Sequence, residues 1–229
     1  MNQHPGVIGR KVGMTQVFAN DGTVVPCTVV EARPVVVMKR TPDRDGYSAL
    51  VLGIGDRKPK HTSKPVGGLF AKLGVTPRRT LRELRCTADY AAGFEVGAEV
   101  RLDQVFQEGQ LVDVQAFSRG RGFTGVMRRH NFSGQKSTHG THEYKRHGGA
   151  IGTNMTPGRT LPGMGMPGQH GNQRVSVLNQ RVVKVLSDEH LIIIYGGIPG
   201  AKNALVMVRG AVKAQGGIPR PKREQPKKK

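Results

Sequence analysis

Apolar positions in the first 55 residues come in short runs separated by turn chemistry. Val7 and Ile8 open one run, and Met14 to Phe18 continue it or begin the next. Asn20-Asp21-Gly22 reads as a hairpin turn, because these residues tolerate the positive φ such turns need. Val24 to Glu31 answers as a strand. Pro34 stands ahead of the run VVVMKR, Pro42 to Gly46 reads as a turn, and Tyr47 to Ile54 as the next strand. Residues 56–78 are richer in Gly and Pro. Within 69–75, Leu69, Phe70 and Leu73 fall on one face at helical spacing, with Gly74 as the C-terminal stop. Residues 80–86 read as a strand. So do 94–106, with Val96, Val100 and Leu102 pointing inward, and 111–117, where the alternation is clean. After a long interruption the β pattern resumes at 175–177 and 182–186, turns at Ser187 to His190, and returns through Leu191–Tyr195 and Ala204–Val208. β-branched runs bounded by turns predict a mainly β fold closed as a barrel or stacked as a sandwich.

The interruption is residues 118–174. Val, Ile, Leu and Phe occur there only as Phe123, Val126, Phe132, Ile151 and Leu161. That is too little apolar surface to offset the entropy of ordering the segment, which should not fold without a partner. The chain therefore divides into a first part of a β-domain over 1–117, with a small insertion near 56–86, an inserted segment over 118–174, completion of the β-domain over 175–212, and a basic, Pro-containing tail over 213–229 expected to be disordered when free.

Charge names the kind of partner. The 229 residues hold 36 Lys and Arg against 16 Asp and Glu, a formal charge of +20. In 118–174 the only acid is Glu143, among Arg119, Arg121, Arg128, Arg129, Lys136, Lys145, Arg146, Arg159 and Arg174. Such a surface suits a polyanion, and nucleic acid fits better than a membrane. The longest apolar run, Leu191–Tyr195, is strand length, and neither a basic amphipathic helix nor an export signal is visible. Cys27 and Cys86 read as free thiols of a reducing cytosol.

Three patterns resemble catalytic or cofactor chemistry. Gly120-Arg121-Gly122-Phe123-Thr124-Gly125 fits G-x-G-x-x-G, which in an oxidoreductase opens a dinucleotide site. The residues after it, VMRRHNFSG, are not an apolar helix, and no acid follows on a second strand. The same glycines let backbone amides approach phosphates. His142-Glu143 with His147 misses the zinc spacing H-E-x-x-H by one, and Gly140, Gly148 and Gly149 argue against a helix, so no metal is expected. The histidines 130, 139, 142, 147 and 170 suit base stacking or phosphate donation, or simple exposure. Pro157-Gly158, Pro162-Gly163 and Pro167-Gly168 recur every five residues; with Arg159, Met164, Met166 and His170 among them they suit an RNA-packed run better than a flexible linker.

These residues resemble one family. The opening GVIGRKVGMTQVF, the run from Phe106 to Arg129 with Asp113, Ala116, Ser118, Gly120, Arg121, Gly122, Gly125 and Arg129, the stretch GGAIGTNMTPGR at 148–159 and MPGQHGNQRVSVLNQRVV at 166–183 are similar, in order, to the bacterial form of the universal large-subunit ribosomal protein three family. One departure is Met155, where some bacterial members carry a glutamine that is methylated. The resemblance implies a six-stranded barrel like that of translation factors, a long finger reaching through large-subunit ribosomal RNA toward the peptidyl transferase centre, an early role in subunit assembly, and neighbouring large-subunit proteins as further partners, in the cytoplasm. It implies no catalysis, cofactor, metal or small-molecule substrate. The expected RNA-binding residues are Lys11, Arg119, Gly120, Arg121, Gly122, Arg128, Arg129, His130, Lys136, Lys145, Arg146, His147, Asn154, Arg159, His170 and Arg174. The competing classes are a general RNA-binding chaperone and a dinucleotide-dependent oxidoreductase.

Overall fold

The structure, a computed structural model, describes residues 6–19 and 21–214. Asn20 of the expected first turn, and all of the expected tail beyond Ala214, lie outside the described residues. The chain divides into two compact units, one formed by the residues up to Phe117 together with those from Arg174 on, the other by Ser118–Gln173.

In the first unit, β1 (Gly6–Phe18), β2 (Val24–Glu31), β6 (Leu111–Phe117), β9 (Arg174–Leu186), β10 (Leu191–Tyr195) and β11 (Leu205–Gly210) close a six-stranded barrel in the order β1-β11-β6-β9-β10-β2. Every pairing in it is antiparallel. The mainly β fold and the barrel expected from the family resemblance are thus observed. The barrel does not use its strands in chain order. After β2 the chain leaves to build a second antiparallel sheet, β3-β4-β5, from β3 (Val35–Arg40), β4 (Ala49–Asp56) and β5 (Arg78–Arg85). This sheet starts well ahead of the 56–86 stretch that composition singles out.

Burial explains why β4 shows no alternation. Ala49, Leu50, Val51, Leu52 and Ile54 are all buried, since β1 of the barrel and a short helix, α3 (Ala88–Ala92), both pack on this strand. A strand covered on both faces reads as a continuous apolar run. One cluster joins barrel residues such as Ile8, Val112, Val114, Ile192 and Val208 to Leu52, Ile54 and Leu84 of the second sheet.

Four expectations are corrected. Pro42 to Gly46 is not a plain turn but a one-turn helix, α1 (Pro42–Asp45). Pro42 supplies a preset first helical φ, and Gly46 closes the turn at φ 75. The helix expected at 69–75 is longer, α2 (Lys64–Leu73), and it buries Phe70 while Leu69 stays 38 % exposed. Residues 94–106 are not a strand. Gly97 takes φ 90, only Glu99 makes an isolated bridge, and Leu102–Gln104 form a 3-10 turn. The apolar residues there obey that turn: Leu102 and Val105, three apart, are eclipsed on one side and both buried, while Val96 is exposed. Finally, 175–177 and 182–186 are parts of one strand, β9, whose bulge is set by Asn179 at φ 54.

The bulge has a partner. The β6–β9 register slips between Val112 and Val114, and Asp113 fills the gap. Its Oδ1 accepts from the Asn179 N–H at 2.9 Å and its Oδ2 from the Val212 N–H at 3.2 Å. At the far end of the same pair Phe117 stands opposite Arg174, so the chain leaves and re-enters the barrel at two adjacent strand ends.

Candidate nucleic-acid interface

The second unit, Ser118–Gln173, is built almost without a core. Its buried residues are Val126 and Thr124 alone among those described. Backbone pairing supplies its order instead. The Ser118 N–H donates to Gln173 O at 2.8 Å, the Asn172 N–H to Ser118 O at 3.2 Å, and the Arg121 N–H to His170 O at 3.0 Å. Next come β7 (Gly122–Thr124) and β8 (Gly168–His170), an antiparallel ribbon with Gly122 opposite His170. Gly122 of the G-x-G-x-x-G run pairs in this ribbon. Gly122 sits at φ 68, and a Cβ on Gly171 would collide with the Arg119 carbonyl and crowd Gly120. The two limbs can approach this closely only where side chains are absent.

A single helical turn, α4 (Val126–His130), follows Gly125, where the sequence suggested none. Asn131 ends it at φ 61. The turn sends its consecutive basic residues in different directions. Arg129 Nη1 donates to the Met166 carbonyl at 2.6 Å, and His130 Nε2 lies 3.0 Å from the same oxygen. Arg128 instead lines a depression of 440 Å³ with Arg121, Arg146, Phe123 and Met127. Arg146 comes from a 3-10 turn, His142–Arg146, in the stretch whose glycines argued against helix. These glycines lie outside the turn.

The structure thus gathers Arg121, Arg128 and Arg146 around one concavity, and Arg129 with His130 on one carbonyl. His147 packs its ring against Tyr144 at 4.9 Å. His170 is half-buried in β8. Arg119, Lys136, Asn154 and Arg159 are exposed and belong to neither cluster. Asn154 lies in a turn closed by the Thr153 hydroxyl, which donates to Thr156 O at 2.6 Å. Two expected residues lie in the first unit. Lys11 is half-buried, its ammonium donating to Ile198 O at 2.8 Å and Gly200 O at 3.3 Å. Arg174 lines a groove of 290 Å³ with Arg82, Gln115, Phe117, Leu205 and Met207.

Charge is handled oppositely in the two units. All six ion pairs among the described residues lie in the first, including Arg33–Glu99 at 2.8 Å and Arg40–Asp45 at 2.8 Å. Its polar cavity, lined by Arg10, Arg33 and Arg78 with Glu31, Asp56 and Glu99, is balanced in the same way. In the second unit Arg119, Arg121, Arg128, Lys136, Lys145, Arg146 and Arg159 have no side-chain hydrogen bond or ion pair among the described residues. Of these, Arg121, Arg128 and Arg146 share one depression that no acid lines, a grouping chemically suited to an anion such as phosphate. Sequence reasoning missed the apolar companions of these charges, Phe123 and Met127 in the depression. The available signal was an apolar side chain in a segment with no core to join: Phe123 is 81 % exposed.

Fold and site together define a class: a closed β-barrel protein with an arginine-rich, nearly coreless insertion between adjacent strands. Comparison with known proteins gives the family. Residues 87–191 match the model of Ribosomal protein L3. The chain is 56 % identical over 229 residues to the large ribosomal subunit protein uL3 of Sorangium cellulosum, covering 100 % of this chain and 99 % of that protein. It is 49 % identical over 214 residues to that of Acidothermus cellulolyticus, covering 93 % and 95 %, and 46 % identical over 211 residues to that of Myxococcus xanthus, covering 91 % and 94 %. The chain belongs to the ribosomal protein L3 family, whose members are structural proteins and not enzymes.

Proposed function

We propose that this chain is a structural constituent of the large ribosomal subunit in the cytoplasm. It binds large-subunit ribosomal RNA, takes part in nucleating subunit assembly, and extends residues 118–174 toward the peptidyl transferase centre. The observation that carries this reading is the second unit's set of seven basic side chains without internal partners, on a segment that buries only Val126 and Thr124. Such a segment gains its missing contacts from a polyanion that surrounds it. The residues proposed to meet RNA are those of the arginine depression, Arg121, Arg128 and Arg146, then Arg119, Lys136, Lys145 and Arg159 along the limbs, with Arg129 and His130 setting the loop they brace. Gly120 and Gly122 admit close backbone approach, and His147, Asn154, His170 and Arg174 add polar contacts. The barrel surface meets neighbouring large-subunit proteins.

The test is reconstitution of large subunits from deproteinised RNA and purified proteins, with this chain present, absent, or lacking 119–172. Omission should stall particles early. The shortened chain should bind through the barrel but leave nucleotides around the peptidyl transferase centre altered in chemical probing. Normal assembly without the chain would overturn the assembly role, and wild-type probing with the shortened one would overturn the placement of the segment.

A further inference from the structure

The second unit carries apolar side chains that neither a core nor a phosphate uses. Ile151 is 54 % exposed, Met164 39 % and Met166 36 %. They gather with Val126, Phe132 and Ala150 around a cavity of 300 Å³ that shares Gly125 and Arg146 with the arginine depression. Four of its lining residues are glycine, Gly125, Gly148, Gly149 and Gly165, and two of them abut Phe132. A Cβ on Gly165 would stand 3.2 Å from one edge of the Phe132 ring and 3.1 Å from the His130 ring, and a Cβ on Gly148 would stand 3.6 Å from the other edge of Phe132. A side chain at Gly165 would crowd the Phe132 and His130 rings, and one at Gly148 would fill the space beside Phe132 and Val126. One wall is braced, since the Met166 carbonyl is held by Arg129 and faces His130. Arg146 and His147 complete the lining, and no acid belongs to it.

An apolar cavity with an aromatic ring, thioethers and a cationic rim selects a planar, polarisable group tethered to an anion. We infer that this cavity receives one unstacked nucleobase of an RNA strand, packed against Phe132 and the methionines, with its backbone phosphate at Arg146. Single-stranded RNA is commonly read in this way, by splaying a base onto an aromatic surface. Thioether sulfur adds favourable contact with an aromatic edge. An acidic protein segment would satisfy the rim but leave the aromatic floor without a partner of its own kind. The inference rests on the RNA-binding reading above and adds to it a base site that charge alone does not give.

The experiment uses the full chain and deproteinised large-subunit RNA. Ala150→Leu fills the cavity without changing charge, and Val96→Leu, at an exposed position of the first unit, is the control. The leucine variant should bind about 5- to 150-fold more weakly, the range for losing one base stack, with the salt dependence of binding unchanged. The Val96 variant should match wild type. Separately, short-wavelength irradiation of the wild-type complex should attach a nucleotide to the tryptic peptide carrying Phe132 or to that carrying Met164 and Met166. This second readout does not depend on the folding of a variant. Equal affinity of Ala150→Leu and wild type, or absence of an adduct on both peptides, would overturn the base site and leave the cavity to an apolar protein side chain. A leucine defect with a shallower salt slope would also overturn it, assigning the loss to phosphate contacts. Failure of the wild-type chain to bind this RNA at all would instead bring down the RNA reading itself.

Discussion

Arg128 and Arg129 are adjacent in sequence, yet the geometry assigns them different work. On α4 their side chains leave the axis about 100° apart. Arg128 is exposed and lines the depression with Arg121 and Arg146. Arg129 is half-buried and donates to the Met166 carbonyl at 2.6 Å. Each lysine or arginine that neutralises a phosphate steepens the dependence of log affinity on log salt by about 0.7–0.9. Arg128→Ala should lower the slope by that amount, which over 50–200 mM salt changes affinity about threefold per contact. Arg121→Ala should do the same, and the double variant should add if the two residues meet separate phosphates, as the RNA reading proposes. Arg128→Lys keeps the charge and should keep the slope. Arg129→Ala should act otherwise. It removes a charge-assisted hydrogen bond that, discounted for exposure, contributes about 1 kcal/mol to the loop. Affinity should then fall at every salt concentration with little change in slope. Filter binding of the full chain to deproteinised large-subunit RNA across the salt range reads both quantities. Equal slope losses for Arg128→Ala and Arg129→Ala, or no slope loss for Arg128→Ala, would refute the division of labour.

Three further expectations concern fold and tip. Asp113→Ala strips the acceptors from the Asn179 and Val212 amides at the β6–β9 bulge; it should cost about 1–3 kcal/mol in urea unfolding, with Asp113→Asn costing less, and an unchanged midpoint would show that the bulge holds itself. The Tyr90 phenol is pushed up to about 12 from 10.0 by burial, so its proton is held more tightly in the folded than in the unfolded chain. Its contribution is fully present below pH 10.0 and is lost as pH rises toward 12. Tyr90→Phe should therefore remove about 1–2 kcal/mol of the alkaline fall in stability, allowing for partial exposure, and an identical alkaline limb in both proteins would sink this. Asn154→Asp, at an exposed turn, should leave barrel unfolding and subunit incorporation intact and change chemical probing of RNA near the catalytic centre; wild-type probing throughout would remove Asn154 from the interface.

The barrel strands were legible where one face is buried and the other wet. β6 is the clearest case: Val112, Val114 and Ala116 are buried and the residues between are not, so period two appears directly in the letters. Strand membership was less legible than strand existence. Nothing local distinguishes β2, which joins the barrel, from β3, which opens a second sheet, because the choice depends on partners far along the chain. Residues 94–106 misled for a related reason. Their apolar spacing imitates a strand, but a positive φ at Gly97 and a 3-10 turn at Leu102 deliver the same side chains to the core by another backbone path. In the second unit composition exposed the charges, but only three dimensions could bring Arg121 and Arg128 beside Arg146, or Val126 and Phe132 beside Ile151 and Met164.

The contrast in charge between the units bears on what each requires of its surroundings. In the first, arginines such as Arg40 face acids, and the apolar cluster supplies the cohesion. Its stability should depend less on a polyanion, because a buried apolar cluster holds it together and arginines such as Arg33, Arg40 and Arg78 already face acids. In the second, like charges converge at Arg121, Arg128 and Arg146 with Glu143 the sole acid of the segment, and its order rests on backbone pairs together with side-chain hydrogen bonds to backbone carbonyls, as at Arg129, Thr141 and Thr153. Backbone pairs in water contribute little net stability each, while uncompensated cations repel one another. Charge alone would make such a segment sticky without making it specific, since a phosphate is the same at every nucleotide. Position would come from uncharged constraints around the arginines: Gly171, where the limbs pass too close for a side chain, the Met166 carbonyl that accepts from Arg129, and the half-buried Phe132 ring of the apolar cavity. On the RNA reading, then, arginines set how strongly the segment is held, and glycines and aromatics set where.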